Sequence, residues 1–270
     1  MPVLRARTVT FHPGGMVCNK DLTMLGISGD GDTASIGMGG FVHLIRRNLP
    51  MCYIVANNGV YGLTKGQFSA TADKGAKLKT GANNPFETID LCTLALELGC
   101  TFVARSFSGD AKQLVPLIEA ALRHKGTAFI DVFSPCITFN NHDGSTKSYN
   151  YIKSHDTVLQ ELGFYAPQEE ILVDYNEGSK ELVELPDGSK ILLNKIDSRL
   201  HDVKNRLEAA RVLTEARLNG EILTGLFYID ESESNLVETL NLSEKPLASL
   251  TESELKPSQK QFDQVMAKFN

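Results

Sequence analysis

The segment GISGDGDTASIG, residues 26–37, sets Asp30 and Asp32 between glycines directly after an apolar run. Gly29 and Gly31 let the backbone come close to a ligand. A carboxylate beside a phosphate is repulsive unless a divalent cation lies between them. Magnesium suits that role, because it takes an octahedron of oxygens, one or two from protein and the rest from phosphate and water. A second apolar run, MCYIVANN, ends in Asn57 and Asn58, which supply neutral amide oxygens. One carboxylate, one amide oxygen, one backbone carbonyl and two phosphate oxygens would nearly complete the shell. Either motif by itself is an ordinary turn. The pair carries more, because the 25 positions between Gly31 and Asn57 hold one predicted helix and one predicted strand. That arrangement puts both motifs at the same edge of a parallel sheet.

The elements that must position them follow from pattern. Short apolar runs predict strands at 21–29, 51–58, 101–107 and 128–135, separated by predicted helices at 33–48, 85–99 and 108–126. Ser108 or Asp110 opens the last of these and Gly126 closes it. The alternation predicts an α/β fold, a parallel sheet with helices on both faces, and such sheets bind ligands beyond the carboxyl ends of their strands. Residues 59–85, rich in Gly, Lys, Thr and Ala, read as a long loop, a feature usually either functional or disordered. After about residue 145 the pattern changes. Strands are expected at 169–175, 180–185, 190–195 and 220–230, an amphipathic helix over 197–220 with Leu200, Val203, Leu207 and Ala210 on one face, and a last helix in the tail. The division is therefore an atypical segment at 1–20, an α/β domain at 21–145, and a C-terminal α+β extension at 146–270.

Composition removes several classes. The 270 residues are 42% hydrophobic and 22% charged, with a net charge of −6, which disfavours non-specific nucleic-acid binding. No apolar run reaches the roughly 18 residues of a membrane span, and the first twenty residues lack the apolar core of a signal peptide; a cytoplasmic location is the default. Cys18, Cys52, Cys92, Cys100 and Cys136 contain no C-x-x-C pair, so neither a disulfide framework nor a zinc ribbon is expected. Each is read as a small buried residue. Cys136 with His142 and Asp143 has no diagnostic spacing. His43, His124, His155 and His201 read as surface or packing residues.

The two motifs together resemble the GDG…NN signature of thiamine diphosphate enzymes. The stretch IVANNGVYGLTKGQFSAT, with DVFSPCITFNNH and GEILTGLFYIDE further on, is similar to the beta subunit of 2-oxoacid:ferredoxin oxidoreductases, over roughly residues 21–240. The YGLTKGQ wording is that of short two-subunit versions, including those acting on 2-oxoglutarate. The resemblance implies thiamine diphosphate held through Mg2+, with Asp30, Asn58 and the Val60 carbonyl as metal ligands. It implies diphosphate contacts from Gly31, Asp32, Gly62 and Leu63, and a substrate carboxylate facing Lys65. It implies oxidative decarboxylation of a 2-oxoacid to an acyl-CoA, with coenzyme A as the acyl acceptor, electrons passed to ferredoxin, and a heterodimer with an alpha subunit. That partner supplies the glutamate that activates the cofactor.

The sequence departs from the family at one point. Members carry about 60 further residues before the GDGD region, with cysteines that bind a [4Fe–4S] cluster. Here only Cys136 matches a cluster position, a remnant iron–sulfur ligand, and four thiolates are the usual holding set. Residues 1–20 read unlike the family. An N-terminally truncated or frame-shifted subunit is expected on this ground, with a non-catalytic fragment that keeps the fold and partner surface as the alternative.

Overall fold

The structure, a computed structural model, describes residues 14–15, 17–61, 67–76, 83–134, 171–184 and 190–269. Its centre is a seven-stranded sheet of order β1-β2-β6-β5-β9-β8-β7. The strands are β1 (Leu25–Gly29), β2 (Met51–Asn57), β5 (Phe102–Phe107), β6 (Thr127–Phe133), β7 (Lys180–Glu184), β8 (Lys190–Lys195) and β9 (Glu221–Ile229). β3 (Val60–Tyr61) and β4 (Gln67–Phe68) form a separate antiparallel pair. β1, β2, β6 and β5 run parallel, so their carboxyl ends share one edge, as the alternating pattern requires.

The buried strands alternate between two cores, as a pleated strand must. Tyr53 and Val55 of β2, with Val103 and Phe129, meet helices α1 (Met38–Arg46), α2 (Leu91–Glu97) and α4 (Arg206–Leu218) through Phe41, Leu44, Leu96 and Leu213. Cys52 and Ile54, with Phe102 and Ile130, meet α3 (Ala111–Arg123) through Leu114, Leu117 and Ala121. Phe41 and Phe129 pack edge to face at 5.1 Å, a favoured aromatic geometry. Helices therefore cover both faces.

The C-terminal strands continue this sheet. β9 joins β5 antiparallel, β8 joins β9 parallel, and β7 closes the far side antiparallel to β8. A buried ion pair ties them in: Lys195 Nζ lies 2.5 Å from Asp110 Oδ2 and donates to the Tyr175 carbonyl at 2.9 Å. Asp110 also accepts from the Gln113 amide and so caps α3. Asp110 is thus the opening residue, and His124, ahead of Gly126, ends the helix.

Three expectations change. The described part of 169–175 forms no strand; Val173 donates one backbone bond to Gly109, and Ile171, Val173 and Tyr175 pack on Phe107 instead. The helix over 197–220 is confined to Arg206–Leu218. Asp197, Asp202 and Asn205 bond backbone amides of Arg199, Lys204 and Glu208, and such local bonds compete with helix until Asn205 serves as its cap. The buried face is Ala209, Leu213 and Ala216, whereas Leu200 and Leu207 are 85% and 83% exposed. The tail holds two helices, Glu252–Leu255 and Gln259–Met266, with Pro257 between them, because proline cannot continue the first.

The corrected face has a direct test. Leu213→Ala should lower the unfolding free energy by about 2–5 kcal/mol, and Leu207→Ala should change it by no more than about 0.5 kcal/mol, both read from urea denaturation. Equal losses would restore the face that the periodicity predicted.

Candidate functional site

β1 ends at Gly29 and delivers Asp30 to the first turn of a helical segment, Gly31–Ile36. β2 ends at Asn57 beside it. Asp30 is 1% exposed, so its carboxylate must find donors. Oδ1 accepts from the Asn58 amide at 3.3 Å. Oδ2 accepts from the Thr71 hydroxyl at 2.6 Å and from the Ser69 hydroxyl. The two motifs therefore meet at one carboxylate. Asn58 Oδ1 accepts from the Val60 amide at 3.0 Å, which folds Asn58 back over its own turn and brings Val60 in.

Ser69 and Thr71 come from the segment read as a long loop. Gly59, at φ +73, turns the chain into β3, a conformation that favours glycine. β3 pairs with β4, and the Ser69 amide donates to the Gly59 carbonyl. The segment is then pinned: Asn84 donates to the carbonyls of Ala72, Asp73 and Phe86, and Thr88 to that of Thr71. Sequence reasoning missed both hydroxyls. Their signal, a Ser-x-Thr pair, is too common to stand out.

Gly31 is needed for close approach. Its carbonyl accepts from the Tyr61 hydroxyl at 2.9 Å, and a Cβ there would lie 2.5 Å from the Tyr61 ring. Asp32 is placed differently from Asp30: its Oδ2 accepts from the Ser28 hydroxyl at 3.4 Å. Gly62, Leu63, Lys65 and Cys136, with His142, Asp143 and His155, lie outside the described residues.

A cavity of about 380 Å³ opens beside the asparagine turn, lined by Asn57, Asn58, Val60, Asp90, Arg105 and Asp131 among others. Asp30 is not on its wall. Arg105 bridges two carboxylates on the wall, donating through Nε to Asp131 at 2.9 Å and through a terminal nitrogen to Asp90 at 2.6 Å. Burial opposes ionisation of Asp90, but the Arg105 charge and the Thr93 amide outweigh it and hold its pKa below the usual carboxylate value. Burial dominates at Asp131 and pushes its pKa up against the pull of Arg105.

Among the described residues no cluster of three or more His, Cys, Asp or Glu could hold a metal. The donors at the motif junction are one carboxylate and neutral amide or carbonyl oxygens, a set that suits magnesium shared with a diphosphate. Cys52, Cys92 and Cys100 are buried; burial pushes the Cys52 thiol up to about 11 and Cys100 up to about 12. Cys18 is exposed, against expectation. His43 is exposed, His124 meets the Thr101 hydroxyl at 2.8 Å, and His201 donates to the Phe227 carbonyl at 2.7 Å. No helix among the described residues is long and apolar enough to cross a membrane.

Removing a donor should expose the junction's energetics. Thr71→Val keeps the shape but leaves a buried carboxylate short of one bond, at a cost of about 1–3 kcal/mol. Equilibrium denaturation would show it; a wild-type midpoint would mean that the Thr71 bond contributes nothing.

The family model for the C-terminal TPP-binding domain of thiamine pyrophosphate enzymes matches residues 9–132. The 2-oxoacid:ferredoxin oxidoreductase subunit beta of Saccharolobus solfataricus is 46% identical over 147 residues, 54% of this chain and 48% of that protein. The 2-oxoglutarate synthase subunit KorB of Methanocaldococcus jannaschii is 40% identical over 134 residues, 49% of this chain and 50% of that protein. A solved 2-oxoglutarate:ferredoxin oxidoreductase from Magnetococcus marinus, with 2-oxoglutarate, coenzyme A and succinyl-CoA bound, superimposes with a TM-score of 0.68 at 25% identity, over 97% of this chain and 74% of that chain. The chain spans about half the length of the curated relatives it matches.

Proposed function

We propose that this chain, which matches the thiamine pyrophosphate-binding family model over residues 9–132 and is similar to 2-oxoacid:ferredoxin oxidoreductase beta subunits over about half its length, is such a beta subunit, the diphosphate-holding half of the enzyme. The assembled enzyme would decarboxylate a 2-oxoacid oxidatively, 2-oxoglutarate being the preferred candidate. Its acyl group would pass to coenzyme A and its electrons, one at a time, to ferredoxin. The unit that binds the cofactor is residues 21–145, with 146–270 as its extension.

The observation that carries this reading is the Asp30–Asn58 contact, which gathers a carboxylate and an amide-bearing turn at one point. Asp30, the Asn58 side chain and the Val60 carbonyl would hold Mg2+. Gly31, Asp32, Gly62 and Leu63 would face the diphosphate, and Lys65 would pair with the substrate carboxylate. When bound, thiamine diphosphate supplies the nucleophilic carbon and the electron sink. This chain's share is to bind and orient it. The hydroxyls of Ser69 and Thr71 keep the Asp30 carboxylate ordered, so the cation meets a prearranged ligand. Activation of the cofactor is assigned to the alpha subunit. Of the family's cluster cysteines this sequence matches Cys136 alone, so electron transfer through a [4Fe–4S] centre is assigned to the assembled enzyme.

Calorimetric titration of thiamine diphosphate into the full chain, with and without Mg2+, tests the reading. Heat should require the cation and should vanish in Asp30→Ala. Heat that persists without Mg2+, or in Asp30→Ala, would overturn the assignment of Asp30.

A further inference from the structure

A buried ionic network at the cavity wall has no part in the roles above. Arg105 has an 11% exposed side chain and Asp131 a 1% exposed one. Arg105 reaches Asp131 and Asp90 at once, which fastens the middle of β5 to β6 and to the start of α2, where Asp90 accepts from the Thr93 amide at 2.7 Å. Asp131 has a second oxygen, and it accepts from Asn57 Nδ2 at 3.1 Å. The Asn57 carbonyl accepts from the Ser134 amide at 2.7 Å. Asn57 is thus gripped at side chain and backbone, one residue before Asn58.

Chemistry fixes the direction of that grip. A guanidinium only donates and a carboxylate only accepts, so Asp131, with Arg105 on its other oxygen, must receive the NH2 of Asn57. The amide oxygen of Asn57 then faces away from Asp131, and Asn57 lines the cavity. Two carboxylates on one guanidinium make a weak source of stability when buried, because desolvation offsets most of the attraction. A network of this kind is better suited to specifying orientation.

We propose that Arg105 and Asp131 are positioning residues that lock the Asn57 amide, presenting its oxygen, and not its NH2, to the ligand cavity beside the asparagine turn. The role rests on the reading of that turn as part of a thiamine diphosphate site. Outer partners of this kind typically change ligand affinity by about tenfold or more when removed.

Two measurements on the full chain test it. In a ¹⁵N-labelled sample the Asn57 side-chain amide, identified by its loss in Asn57→Ala, should exchange slowly with solvent. It should lose that protection in Asp131→Asn and in Arg105→Lys, since one ammonium cannot hold both carboxylates as a planar fork does. Wild-type protection in both variants would overturn the lock. In the second measurement, thiamine diphosphate with Mg2+ is titrated into wild type, Asp131→Asn, Asn57→Ala and the double variant. Each single change should weaken binding about tenfold, and the double should bind no worse than Asn57→Ala, because one interaction is being removed twice. Additive losses, or lower melting temperatures with unchanged affinity, would mean that the network is structural only. Failure of the wild-type chain to bind would count against the functional reading, and the amide exchange would then decide the lock alone.

Discussion

The Asp30 carboxylate accepts hydrogen bonds from Asn58, Ser69 and Thr71. It is withdrawn from water, and an ionised group in that position is tolerated only when its oxygens are satisfied. Much of the surrounding structure is arranged to satisfy them. β1 and β2 must run parallel and adjacent for the Asn58 amide to arrive. The turn at Gly59 and the β3–β4 pair must bring the chain back for the two hydroxyls to arrive. The same requirement explains the polar anchors of Asn84 and Thr88, which hold the returning segment where its backbone groups find partners.

What the sequence made legible was the geometry imposed by strand direction. The distance between GDGD and NN encodes one helix and one return strand, and parallel strands deliver their ends to a common edge. Whatever depended on the path of a loop was hidden. Ser69 and Thr71 lie about forty positions beyond Asp30, and their approach needs the positive φ of Gly59. Arg105 was hidden for a different reason. In TFVARSF it is a single charge in an apolar run, and only the register Arg105↔Asp131 shows that the charge is answered on the neighbouring strand. The helix face went astray because Leu200 and Leu207 satisfied a period across Asp and Asn residues that bond their own backbone.

The C-terminal strands enter the site through topology. β9 runs against β5, so its first residues lie at the edge where the parallel strands finish. The end of α4 comes with it, and Arg217, Gly220, Glu221 and Ile222 line the cavity opposite the asparagine turn. The sheet therefore supplies both walls of the cavity, one from the end of β2 and the other from the beginning of β9. The Lys195–Asp110 pair joins β8, the neighbour of β9, to the cap of α3.

β1 stands at the rim of the sheet and, among the described residues, pairs on one flank only, with β2. Leu25 and Ile27 on it are 42% and 60% exposed, so its side chains are only partly covered. The opposite rim, β7, is also single-flanked but carries Lys180, Glu181 and Glu184, charges that discourage strand addition. Local openings cost anything from almost nothing up to the full free energy of global unfolding, and elements with few buried contacts lie toward the low end. Asp30 is the next residue after β1, so separation of this strand from β2 would carry Asp30 away from Asn58. A chain altered in that way would keep the spectroscopic signature of a folded protein and still lose the Asp30–Asn58 contact.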